Sequence, residues 1–341
     1  AELHEIDPRF SFADLPPHID PDIYRDIFNI SDVGRAFHWE DMENDPAYGA
    51  DGSAFLFLKG EEASSAVEPS APFKDPIAPQ YHWLVYGFDP YDPVVFAPGD
   101  PENLRPMTQI LTDIATMSNP ATPAFAYLAH PIWANGYSGS AFDPIAAETA
   151  LSIIDPHTGQ PVFRGMEIWN DSDSASQQYI ELWEQILLAH INDNQRWYLA
   201  AGSDAHFSDS FRSGYPRAVA WTPSLQPTRA EILDALRNGR FFVTDGPYFT
   251  MGVDRDNNGL LEPSGIDVNL GERMVALNAN DATIIFDWPQ QHLTPWGQPE
   301  IGQITLIQYG QDGQKRIIQP TTRSYDAAAQ ALLDHAAGNA F

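Results

Sequence analysis

The chain has 341 residues, with 18 Lys+Arg against 47 Asp+Glu, a formal net charge of −29. So large an acidic excess repels phosphate backbones and anionic lipid, which argues against nucleic acid or a membrane surface as partner. Cysteine is absent, so disulfides, thiolate metal sites and cysteine nucleophiles are excluded together, while 43% hydrophobic residues supply ample material for a core.

At about 100–200 residues per domain the length predicts one large domain and a smaller one. The chain opens at Ala1 without a basic-then-apolar leader. With the acidity, this predicts a mature exported product, periplasmic or secreted, or else a trimmed chain. No stretch approaches the roughly 18 consecutive apolar residues of a membrane helix.

In chain order, the first clear strand signal is the apolar run Ala54–Leu58, followed by a Pro-rich stretch, Val67–Gln80, that reads as a surface loop between strands. Further buried strands are predicted at His82–Phe88, Ala124–Ala129, Gly165–Trp169, Trp197–Ala201 and Arg217–Trp221. Helices are predicted at Met107–Met117 and Ser176–Ala189. In the second, Tyr179, Ile180, Trp183, Ile186 and Leu187 share one face. A third starts at Thr228, where Glu231 three residues on makes a capping box, and stops at Gly239. From Ala54 to Trp221 this alternation predicts a parallel α/β barrel or sheet, within a first domain placed at residues 1–245. After Gly246-Pro247 the helical period fades, and Thr283–Trp288 and Gln303–Tyr309 read as strands. Residues 246–341 are therefore expected to form a small β-rich, sandwich-like appendage.

The strongest chemical signal is Gly202-Ser203-Asp204-Ala205-His206, directly after a predicted strand. A carboxylate and an imidazole two residues apart can share a metal, and in barrels the C-terminal end of the strands is the active-site face. Glu62, His82, His130 and Glu167 lie at or near strand ends too. Singly, each suits a structural role. Together, on separate strands, they predict convergence on one rim.

The succession Leu58-Lys-Gly-Glu-Glu62, His82-Trp-Leu-Val-Tyr-Gly87, Ala129-His130-Pro131, Met166-Glu167-Ile-Trp-Asn170, Gly202-Ser-Asp-Ala-His206, Ile232 to Arg240 and Gly246-Pro247 resembles the PHP (polymerase and histidinol phosphatase) superfamily. Within it the likeness is to metallohydrolases related to carbaryl hydrolase, and it covers residues 1–255. The resemblance implies a distorted seven-stranded (β/α)7 barrel with two or three divalent metals (manganese, zinc, iron or magnesium) that hydrolyses phosphoesters or other esters. By position, Glu62 bridges metals, His82 and His130 complete one site, and Asp204 and His206 serve the neighbouring ones. Glu62, Asp204 and His206 are then the candidate catalytic residues.

The first half departs from that pattern. Where the family has His-x-His before a serine, this chain reads Glu5-Ile6-Asp7 ahead of Ser11, and where it has Thr-Asp-His the counterpart is Ser31-Asp32-Val33. His4 and His38 are out of register as replacements. Either Glu5, Asp7, Glu62 and Asp204 form an oxygen-rich site that suits calcium, magnesium or manganese better than zinc, with Asp32 and His206 serving a neighbouring site, or the chain is a pseudoenzyme that keeps part of a site. Arg164, Arg212 and Arg217 are candidates for neutralising substrate charge.

A second signal is Asp254-Arg-Asp256-Asn-Asn258-Gly259-Leu-Leu-Glu262. Oxygen donors at alternate positions with glycine sixth are what an EF-hand-like loop turns onto calcium, although the twelfth place is Gly265. The same residues also suit a polar β-turn. The sequence thus carries two readings: a metal-dependent hydrolase of small-molecule esters, and a noncatalytic, calcium-stabilised extracellular binding module.

Overall fold

The computed structural model of the chain describes residues 58, 60–66, 80–87, 105–131, 142, 144–170, 176–193, 195–203, 216–244, 250–256, 258–261, 267–272, 283–287, 306–310 and 312–318. Five strands form the main sheet, and their spatial order follows the chain: β1 (Gly60–Ala66), β2 (Gln80–Tyr86), β3 (Phe125–Ala129), β4 (Phe163–Asn170) and β5 (Tyr198–Gly202). The β3–β4 and β4–β5 pairings are parallel, and the crossovers this requires carry helices α2 (Pro144–Leu151) and α3 (Gln177–His190). By contrast, β1–β2 and β2–β3 are antiparallel, so the sheet is mixed where the alternation pattern predicts parallel strands.

The first strand differs from expectation. Leu58 lies outside any strand, residues 54–57 are outside the described set, and β1 instead has the sequence Gly-Glu-Glu-Ala-Ser-Ser-Ala. Such residues have low intrinsic strand preference. A full ladder to β2, from Gly60↔Tyr86 to Ala66↔Gln80, holds them, and the Trp83 indole N–H donates to the buried Ser65 hydroxyl at 2.9 Å.

Period-two alternation gives the sheet two different faces, and a register shift of β4 against β3 past Phe163 puts Phe163 and Met166 on the same one. One carries Trp83, Val85, Ala126, Leu128, Phe163 and Met166, and is covered by α1 (Met107–Met117), α2 and α3 through Ile110, Leu111, Ala147, Leu151, Leu182 and Ile186. The other carries Leu84, Phe125, Tyr127, Ala129 and Ala200, which pack with Phe241 of β7 and with Leu233 and Leu236 of α4. Here β6 (Arg217–Ala220) and β7 (Phe241–Thr244) form an antiparallel pair alongside β5, joined through α4 (Arg229–Arg237). Among the described residues the strands do not close into a barrel.

Helix boundaries follow local chemistry. Ser176 caps α3. At α4 Thr228 and Glu231 make both bonds of the capping box, and Gly239 beyond its end adopts φ +69°. A Cβ on Gly239 would lie 2.2 Å from the Tyr198 ring, so glycine is required there for space as well as conformation.

Past residue 246 the described elements are all strands: β8 (Thr250–Asp254) between β10 (Thr283–Asp287) and β9 (Val268–Asn269), and the β11 (Leu306–Tyr309)–β12 (Lys315–Ile318) hairpin. The hairpin docks on α3. Tyr309 packs edge-on to Trp183, and both the Tyr309 hydroxyl (2.6 Å) and Lys315 Nζ (2.5 Å) donate to Glu184. Burial, then donation to Glu184, pushes the Tyr309 phenol well above its ordinary range. No helix among the described residues is long and apolar enough to cross a membrane.

Candidate metal centre

Parallel β3, β4 and β5 end at one edge of the sheet, and β2, antiparallel to β3, begins there. His82 stands opposite Ala129, and His130 is the next residue. The ladder thus brings together two imidazoles 48 positions apart: His82 Nδ1 and His130 Nε2 are 3.2 Å apart, with the rings edge to face at 4.8 Å. That distance suits a direct hydrogen bond. It also suits a shared ion, because two nitrogens at about 2.0–2.1 Å from one tetrahedral zinc are about 3.3 Å apart. The pair therefore fits a divalent metal in both chemistry and spacing.

Behind the pair lies Glu167, fully buried in β4. Its Oε2 accepts the backbone N–H of His130 at 3.0 Å and the side-chain amide of Asn170 at 2.9 Å. His130 itself has φ +25° and is the one non-glycine residue with positive φ among the described residues. A residue before proline ordinarily stays extended, so this conformation ahead of Pro131 is doubly disfavoured, by about 1–3 kcal/mol. Strain of this kind persists only where surrounding contacts hold it, and the bond to Glu167 is one such contact.

The other expected ligands are placed unevenly. Glu62 sits within β1, not after a strand, and pairs with Leu84, while Ser64 pairs with His82; this sets Glu62 two residues in from the imidazole row. Gly202, the last residue of β5, lies opposite Asn170 and leads through Ser203 to Asp204 and His206. Asp204, His206, Glu5, Asp7, Asp32, Val33, His4, His38 and Arg212 lie outside the described residues.

Arg164 is corrected as a substrate-facing cation. It is 2% exposed, its Nε donates to the Arg237 carbonyl at 3.0 Å, and its guanidinium lies over the Tyr198 ring. It closes the C-terminal end of α4 against the sheet, a common use of arginine at the negative pole of a helix. Burial draws its pKa down, opposed by the neighbouring Tyr198 and Tyr127. Arg217 is half-buried in β6, opposite Thr244.

A second cluster lies between β8 and β9. Carboxylate oxygens of Asp254, Asp256 and Asp267 fall within 4.8 Å of one another. Asp254 accepts the N–H groups of Gly259 (2.8 Å) and Asn258 (3.3 Å), and Asp267 accepts that of Arg255 (3.0 Å). Gly259 has φ +82°, the conformation for which glycine is expected at the sixth place. Asn258 instead turns inward on the loop: its Nδ2 donates to Asp256 and its Oδ1 accepts from Leu260. Glu262 and Gly265 lie outside the described residues.

Two residues escaped the sequence reading. Asp267 falls beyond a twelve-residue loop and joins the cluster because β8 pairs with β9. Asn170 carried no signal of its own. Glu167 was visible as a carboxylate between Met166 and Ile168 in an apolar run, which a buried strand does not need. Comparison of the chain with protein-family models, with curated proteins and with solved structures gives no match in any of the three.

Proposed function

We propose that this chain is a metal-dependent hydrolase of the PHP type acting on phosphoesters or related esters of small molecules, exported to the periplasm or beyond the cell. The observation that carries this reading is the His82–His130 pair, two imidazole nitrogens 3.2 Å apart at one sheet edge. The residues that would hold metal are His82 and His130 with Glu62, Asp204 and His206, joined by Glu5, Asp7 and Asp32 from the altered first motifs. A bound divalent ion supplies hydroxide at neutral pH by lowering the pKa of its water to about 7. The protein's own contribution would be to hold the two imidazoles at ligand spacing, at the end of the sheet where the chain also leaves Gly202 toward Asp204. Carboxylates in place of the first two histidines favour manganese, magnesium or calcium over zinc, and reduced turnover.

The test is a reconstitution series on chelator-treated protein with a generic aryl phosphate and an aryl carboxylate ester. Metal-dependent turnover that disappears in His82→Asn supports the reading. Purified protein that neither contains nor takes up metal and turns over neither ester defeats it. The Asp254, Asp256 and Asp267 cluster favours a second reading, a noncatalytic module stabilised by calcium, and that reading predicts calcium binding without turnover.

A further inference from the structure

We propose that Glu167 is the positioning carboxylate of the candidate metal centre, holding His130 in its left-handed conformation so that the imidazole meets His82. The consequence for metal binding rests on the reading above; the hydrogen bond itself does not.

A carboxylate with no exposed surface is costly unless donors surround it, and an apolar strand has no structural need for one. Glu167 receives two donors on one oxygen, the His130 N–H and the Asn170 amide. The second is not available in a regular strand, where residues three apart point to opposite faces. The register of β4 against β5 shifts between Glu167 and Trp169, and this irregularity brings Asn170 onto the side of Glu167. Bulges of this kind re-aim side chains beside active sites. The two bonds together link three strand ends. β4 supplies the acceptor and Asn170, β3 delivers His130, and Asn170 pairs through its backbone with Gly202, from which the chain runs to Asp204. Glu167 thus acts through the backbone of His130 and orients the ring without needing to touch the metal.

The test uses full-length protein labelled with 15N at its ten histidines, the His130 amide being identified by its loss in His130→Asn. Amide exchange is measured in metal-free protein, and Co²⁺ affinity by titration of its visible spectrum. Glu167→Gln retains an acceptor and is expected to keep both properties within about threefold. Glu167→Met is expected to speed His130 exchange about tenfold and to weaken Co²⁺ binding 10–100-fold. Should Glu167→Met fail to fold, Glu167→Asp, which withdraws the carboxylate by one methylene, carries the same expectation. Unchanged exchange in both Glu167→Met and Glu167→Asp overturns the proposal. So does a Glu167→Gln that loses Co²⁺ while the His130 amide stays protected, since Glu167 is then a direct ligand. If the parent binds no Co²⁺ but Glu167→Met still releases the amide, the positioning role stands and the metal reading fails.

Discussion

Replacing Asp267 by asparagine should nearly abolish the response of this protein to calcium. Asp254 and Asp267 are 1% and 2% exposed, and Asp256 completes a set of three carboxylates within 4.8 Å. Asparagine matches aspartate in size and still offers the Arg255 N–H an oxygen, so the perturbation is the loss of one negative charge. If the three carboxylates take up calcium, a hundredfold excess over Kd would stabilise the parent by about 2.7 kcal/mol. Unfolding entropy of about 2.1 cal/mol/K per residue, over 341 residues, is about 0.7 kcal/mol/K. The parent Tm should therefore rise by about 4 °C on moving from chelator to calcium. In Asp267→Asn the rise should shrink below about 1 °C, because a hard cation loses an anionic oxygen. In chelator the variant should melt at or above the parent, since fewer like charges are crowded together. Scanning calorimetry at fixed ionic strength, with magnesium and sodium chloride as controls, reads both effects. A parent Tm that is the same in chelator and in calcium, or a variant that responds as the parent does, refutes the reasoning.

Other perturbations separate backbone from side-chain roles. At His130, asparagine tolerates φ +25° whereas valine does not. His130→Asn should lose metal yet stay folded, while His130→Val should also lose about 1–3 kcal/mol in urea titration; equal stability of the two would remove strain from the account. Gly239→Ala must accept a left-handed backbone and displace the Tyr198 ring, so a loss of about 2–4 kcal/mol is expected, and less than 1 would show that α4 ends more loosely than described. Glu231 is held below the usual carboxylate range by the Ser224 hydroxyl first and by the Thr228 N–H next. A depressed folded pKa means that this stabilisation is complete above about pH 4.3 and is lost as pH falls through the lower folded value. Acid titration of Glu231→Gln should accordingly be flatter below pH 4.3 than that of the parent, and coincident curves would contradict the assignment.

Much of the scaffold was legible because its signals are local. The apolar spacing in Met107–Met117 and in the helix read from Ser176, and the Thr228–Glu231 box, are patterns of near neighbours, and the three helices form at those places, with Ser176 serving as the cap of α3 and not as its first residue. Likewise β3 is an apolar run and β4 one broken by Arg164 and Glu167, both buried on both faces over most of their length as a central strand requires. β1 carries no such local signal, since Gly-Glu-Glu-Ala-Ser-Ser-Ala becomes a strand only by pairing with β2. The antiparallel direction of β1 and β2 is equally absent from the alternation pattern, since strand direction depends on pairing and not on the strand's own residues.

The candidate site divides in the same way. Residue type and strand-end position pick out His82 and His130 in the sequence, as alternate oxygens do for Asp254 and Asp256. The sequence alone could not bring the two imidazoles within 3.2 Å, because that needs the His82↔Ala129 register across 48 residues. Nor could it turn Asn170 onto Glu167, which needs a shift in the β4–β5 ladder, or add Asp267 to the acidic cluster, which needs β9 beside β8. Near-neighbour chemistry is written in order along the chain. Contacts between distant residues exist only after strands have paired, and register, bulge and crossover decide which side chains meet.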